Sequence, residues 1–201
     1  MSNQAMRRAS AATLLALSAA VSLAVDARQA DLTLAVTMTN DPSTNQVKVY
    51  DATTGALLQT LPTGGAGGVS GNARGVRQFN GELFAAVNNG SNSVAVYRRN
   101  GNRLQLERTV ATSSAPVSVD FANGHMYVAG ATTVDSFVLH GNSVGTRDGT
   151  TALRLAGGAV PPSGSTAQIG VIDDERLLVT LKTDPTPGTI MPASDADNAA
   201  Q

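Results

Sequence analysis

The stretch TNDPSTNQVKVY at residues 39–50 returns as NNGSNSVAVY at residues 88–97. In each copy a strand ends in Asn, a small polar turn follows, and an alternating strand ends in Tyr. Tyr50 and Tyr97 stand 47 positions apart. A strand-built period of about 40–50 residues marks a β-propeller, in which each repeat is one blade. A second marker runs out of step with the first. Asn80-Gly81 and Asn123-Gly124 lie 43 positions apart, each followed by an apolar run, residues 83–87 (LFAAV) and 126–129 (MYVA). Asn-Gly between apolar runs is a hairpin signal, because a type I′ turn needs positive φ at both central residues. A third member, DDERLLV at residues 173–179, sits 51 positions on when Leu178 is matched to Tyr127. Unequal offsets are what loop insertions between blades produce.

The first residues stand apart from this pattern. Arg7-Arg8 precede an uncharged apolar and small-residue run at residues 9–25, and small residues around Ala24 and Ala27 suit a signal peptidase. Residues 1–24 read as a cleaved secretory signal, with an uncleaved anchor and a mitochondrial presequence as the weaker alternatives. The chain is therefore expected to be exported, to a periplasm or the extracellular medium, with no membrane segment after cleavage. It has no cysteine, so no disulfide is available and stability must come from buried strands. The net charge of −1, with 14% charged residues, offers no basic surface for nucleic acid.

Twenty glycines and 3% aromatics, with no apolar spacing of three and four outside the leader, point to an all-β chain. The first blade is expected at residues 32–62, and TGGAGGVSG at residues 63–71 as a flexible connection. The second has strands at residues 74–79, 83–88, 93–97 and 104–110. The third has residues 117–121, 126–129, 134–139 and an outer segment near 153–155. The fourth begins at residues 167–172 and 176–181 and then fades, without outer strands. The propeller is expected over residues 32–191, and a polar disordered tail over 192–201.

The stretches AVTMTNDPSTNQVKVY at residues 35–50, LFAAVNNGSNSVAVY at 83–97 and LLVTLKT at 177–183 resemble the lactonase-like seven-bladed propellers. That family includes the propeller-type 6-phosphogluconolactonases and carboxymuconate cyclase, with YVTN-type repeats. The resemblance implies about three and a half blades of a seven-bladed ring, its amino-terminal portion. A closed four-blade ring is the other reading. After cleavage about 177 residues remain, where seven blades need roughly 300, so the isolated chain is expected to be β-rich, marginal in stability and prone to aggregate.

The resemblance also implies hydrolysis of a sugar lactone or related ring, with Arg74 polarising a carboxylate or carbonyl. Members of the family carry Pro-His at inner-strand starts; here those places read Ala115-Pro116-Val117-Ser118, Ala73-Arg74-Gly75 and Ala167-Gln168-Ile169. A general acid or base of that kind is missing from all three. The alternative is a non-catalytic exported propeller that binds a ligand or a protein. A lactone or sugar acid and a protein partner are the expected partners; no cofactor is expected.

The ligand-binding candidates are polar residues at strand ends bordering a central channel: Asn40, Asp41, Arg74 and Gln168. The planar fork of Arg74 suits a carboxylate or a phosphate. His125 and His140 both fall at turns, without a metal-ligand partner at useful spacing, so no metal is expected. Asp173-Asp174-Glu175 lacks the ligand pattern of a calcium loop. The Gly-rich stretch lacks the Gly-Lys-Ser/Thr ending of a phosphate loop. No nucleophile elbow or Ser-His-Asp triad can be named, and no catalytic residue is assigned.

Overall fold

The computed structural model describes residues 31–71, 73–155, 157–173, 176–182 and 189–192. The leader reading of residues 1–24, the tail reading beyond Pro192, and Asp174-Glu175 lie outside the described residues. All of the regular strands belong to the unit Asp31–Gln201.

Among the described residues, four antiparallel sheets follow one another. The first holds β1 (Leu34–Met38), β2 (Gln46–Asp51) and β3 (Leu57–Pro62). The second holds β4 (Val76–Phe79), β5 (Leu83–Asn88), β6 (Ser93–Asn100) and β7 (Arg103–Ala111). The third holds β8 (Pro116–Ala122), β9 (His125–Gly130), β10 (Thr133–Leu139) and β11 (Val144–Ala152). The fourth holds β12 (Thr166–Asp173), β13 (Arg176–Leu181) and β14 (Thr189–Pro192). In each sheet the strands pair in sequence order, as meanders do.

Alternation along the strands explains why these sheets stack face to face. Phe84 and Ala86 pack with Val47 and Val49 of the first sheet, while Leu83, Ala85 and Val87 pack with Val117, Val119 and Met126 of the third. Tyr127 and Ala129 then face Ile169, Leu177 and Val179 of the fourth. A strand covered on both faces reads as a continuous apolar run. That is why LFAAV and MYVA do not alternate, whereas the outer β7 and β11 carry many exposed positions. Sequential meanders stacked face to face, the second and third covered on both faces, are the blades of a β-propeller.

Both Asn-Gly pairs turn as the sequence requires: Asn80 and Gly81 have φ 53° and 71°, Asn123 and Gly124 have 52° and 74°. Three expectations need correction. The outer strand of the third blade is β11, not residues 153–155, because β10 continues through a short turn into residues that alternate only weakly. The fourth blade does not stop at two strands, since β14 pairs with β13 in register Leu178↔Ile190; Pro192 is thus strand, not tail.

The Gly-rich segment is not a flexible connection either. Its Gly67 and Gly68 N–H groups donate to Asp41 O and Asn40 O, and Gly90 N–H donates to Ala66 O and Gly67 O. A Cβ at Gly67 would fall 2.6 Å from the Asn40 carbonyl carbon, and one at Gly65 would fall 2.7 Å from the Asn88 amide nitrogen. Glycine is used here for close backbone approach. Gly67→Ala is expected to cost about 1–3 kcal/mol, read as a lowered urea midpoint. An unchanged midpoint would show that the segment gives way.

Tyr97 locks the first two blades. Its ring is fully buried and its hydroxyl donates to Pro62 O at 2.8 Å. Burial pushes its phenol well above the ordinary value of about 10. The folded chain therefore holds this proton more tightly than the unfolded chain does. The corresponding stability is intact below pH ~10 and is lost as pH rises above it. Tyr97→Phe should flatten this alkaline fall in a stability-against-pH series and cost about 1 kcal/mol at neutral pH.

Candidate functional site

Inner strands β4, β8 and β12 meet around one buried carboxylate. Asp120 on β8 is 4% exposed. Its Oδ2 accepts from Arg74 Nη1 at 2.7 Å and from the Val171 N–H at 3.1 Å. Its Oδ1 accepts from Arg77 Nε at 2.8 Å and from its neighbour's Phe121 N–H at 3.0 Å. A carboxylate offers about four lone-pair directions, so Asp120 is fully occupied. The residues come from three blades: Arg77 from the second, Asp120 from the third, Val171 from the fourth.

Arg74 reaches this point from an unusual backbone. Its φ is 58°, in the left-handed region that costs a non-glycine residue on the order of 1–2 kcal/mol. Two bonds hold the segment there: Ala73 N–H donates to Ala167 O at 3.1 Å, and Val119 N–H donates to Arg74 O at 3.0 Å. Arg74 Nη1 also donates to Ile169 O at 3.3 Å. Gly170 leaves the space, since a Cβ there would fall 3.2 Å from the guanidinium.

Two guanidiniums share one carboxylate, so the cluster carries one net positive charge. Arg74 and Arg77 are 36% and 41% exposed. Arg77 commits only Nε among the described residues, leaving both terminal nitrogens as donors. Such a pair can take up a carboxylate or phosphate oxygen without desolvating an unpaired charge.

The four residues proposed from sequence divide into two groups. Arg74 lies in the cluster, and Gln168 lies on β12 beside Ala167, where the Arg74 segment is anchored. Asn40 is elsewhere. Its Nδ2 donates to Val69 O at 2.6 Å and its Oδ1 accepts from Gly68 and Val69 N–H, so its amide clamps the Gly-rich segment. Asp41 accepts from Ser43 and Thr44 N–H at 2.7 and 2.8 Å. The Thr44 bond foremost, then that of Ser43, holds its carboxyl below the usual range. Asn40 and Asp41 follow β1, which pairs as a second strand of a blade, so they do not sit at an inner-strand start.

Arg77 and Asp120 were not singled out in the sequence. The legible signal was Asp120 itself, a lone charge inside the apolar run VSVDF. His125 is more than a solvated turn residue: Nε2 lies 2.8 Å from Asp148 Oδ2, and Asp148 Oδ1 accepts from Ser136 Oγ at 2.7 Å. The carboxylate stands between Ser136 and His125, so these three residues do not form the order of a hydrolytic triad. His140 is exposed in the turn after β10. Among the described residues no three His, Cys, Asp or Glu side chains gather as a metal site.

No family model matches the chain, and no curated protein does. Among solved structures it is similar to a candidate 6-phosphogluconolactonase of Bacteroides fragilis, at 16% identity and TM-score 0.48, over 73% of this chain and 44% of that one. It is also similar to a luciferin-regenerating enzyme, at 13% identity and TM-score 0.44, over 74% and 51%. A complex of KlAtg21 with the coiled coil of AgAtg16 matches at 14% identity and TM-score 0.45, over 73% and 48%. The chain spans about half the length of these proteins.

Proposed function

We propose that this chain is an exported β-propeller that binds a small carboxylate-bearing ligand, of the sugar-acid or lactone class, at Arg74 and Arg77 without transforming it. The observation that carries this reading is the saturation of Asp120. Opening a lactone with water needs a base with a free lone pair aimed at that water. The carboxylate at the inner strands has its four acceptor directions filled by two guanidiniums and two backbone N–H groups. What it leaves is a positively charged pair with spare donors, which suits recognition of an anion.

The probes are D-gluconate and glucono-δ-lactone, added to the purified chain in calorimetry and in a hydrolysis assay. Gluconate binding is expected, weakened tenfold or more by Arg77→Ala and by Arg74→Ala. Arg77→Lys should recover little, because a point charge replaces a planar fork. Lactone opening is expected at the rate of solution. Catalysed opening that Asp120→Asn abolishes would overturn the non-catalytic reading. Equal gluconate binding by both alanine variants would overturn the site. Export is tested separately, by the amino-terminal sequence of product recovered outside the cytoplasm, which should begin between Val25 and Arg28.

A further inference from the structure

Gln168 stands on the face of β12 that the Arg74 guanidinium covers. Strand β12 runs in unbroken register with β13 over Gln168↔Thr180, Ile169↔Val179 and Gly170↔Leu178. Successive side chains on a strand leave opposite faces. Ile169 is fully buried against Tyr127 and Ala129 of the third blade, so Gln168 and Gly170 share the other face. A Cβ at Gly170 would fall 3.2 Å from Arg74 Nη1, which lays the guanidinium against that face. Positions two apart on one face of a strand are separated by about 7 Å.

The segment that carries Arg74 is tied to the same sheet. Ala73 N–H donates to Ala167 O at 3.1 Å, and Lys182 Nζ donates to Ser70 O at 3.2 Å. Arg74 is thus held over Gly170 by its backbone and by the bonds of its guanidinium to Asp120 and Ile169 O. Gln168 is half-buried, and among the described residues its side-chain amide makes no hydrogen bond. Thr180, its partner across the ladder, is exposed, and its Oγ1 donates to Gln168 O at 3.4 Å. That hydroxyl keeps its acceptor lone pairs. An amide and a hydroxyl therefore stand on one face, a single side-chain step from the guanidinium.

We propose that Gln168 sets the specificity of the anion site: its amide reads a hydroxyl on a carbon next to the ligand's carboxylate, which selects hydroxy acids over plain carboxylic acids. The inference rests on the carboxylate binding at Arg74 and Arg77 proposed above. A hydroxyl donates one hydrogen bond and accepts others, and a primary amide does both. With the carboxylate on the guanidiniums, the carbons beside it lie across the step from Gly170 to Gln168. A ligand with methylene groups there covers the amide and the Thr180 hydroxyl without bonding them. A polar group cut off from water without a partner costs about 1–3 kcal/mol. A site built to hydrogen-bond a hydroxyl rejects the analogue that lacks it.

D-Gluconate and hexanoate are the probes, titrated into the purified full chain by calorimetry. They share a six-carbon chain and a carboxylate, and only the first carries hydroxyls. The parent should bind gluconate about tenfold more tightly than hexanoate. Gln168→Ala should lose that preference: gluconate weakens to the level of hexanoate, while hexanoate stays within about twofold of its parent value. Gln168→Met keeps the length of the side chain without its hydrogen bonds, and should behave the same way in a chain whose urea midpoint matches the parent's. Arg77→Ala should weaken both acids alike, which separates the anion site from the group that reads the hydroxyl. Equal affinity of the parent for the two acids, or a preference that survives both Gln168 variants, would overturn the proposal and leave the anion site standing. Binding of neither acid would overturn the anion site and this inference with it.

Discussion

Asp120→Ala should lower the stability of the chain by about 3 kcal/mol, read from urea unfolding. The carboxylate is buried and joins three blades, accepting from Arg74, Arg77 and the Val171 N–H. Without it the Arg74 backbone stays in its left-handed strain with no ion pair to hold the side chain, and Val171 N–H loses its acceptor. Both guanidiniums are partly exposed and regain water, which keeps the loss near the lower end for a broken buried pair. Asp120→Asn separates charge from shape. It should cost less stability and strengthen gluconate binding, because two cations then face the ligand instead of one net charge. A loss under about 0.5 kcal/mol in the alanine variant would show that the cluster is a surface ion pair with no part in joining the blades.

Asn45→Ala should cost about 2–4 kcal/mol, near the sum of two abandoned buried acceptors. Its Nδ2 donates to Val87 O and to Asn88 Oδ1, both at 3.0 Å, and its Oδ1 accepts the Asn40 N–H at 2.9 Å. The residue is wholly buried between the two copies of the sequence repeat. Asn88 carries the chain of bonds on, donating to Thr63 O and Ser93 Oγ. Asn45→Asp is the informative companion. It keeps the shape but replaces the donor with an acceptor, so it should be at least as harmful as alanine. A neutral Asn45→Asp would show that this amide does not bridge Val87 and Asn88 in solution.

The repeated stretch thus did two things, of which the sequence displayed one. Its strands and turns were legible because alternation and Asn-Gly pairs act locally. Type I′ geometry needs positive φ at two adjacent residues, and Asn80-Gly81 and Asn123-Gly124 supply it with no help from elsewhere. The polar residues between the strands read as a solvated turn or a ligand rim. They are instead the seam between blades: Asn40 clamps Val69, and Asn45 bonds Asn88, 43 positions away. The Gly-rich segment read as slack for the same reason. Glycine permits freedom and close packing alike, and only the neighbours of Gly65 and Gly67 show which is used.

The site divides the same way. Arg74 was legible as a cation opening an inner strand; Asp120, a charge inside an apolar run, was not singled out. Their pairing, and the entry of Arg77, depend on three inner strands meeting across 46 and 43 positions of chain. No local pattern encodes that distance.

The sequence by itself determined the all-β repeat, its period and its hairpin turns, because each follows from residues close along the chain. Tertiary structure alone decided that β1 pairs in the register of a second strand and that Asp120 is saturated. Register and carboxylate coordination are set by which strands lie side by side, and that choice is made by stacking between blades.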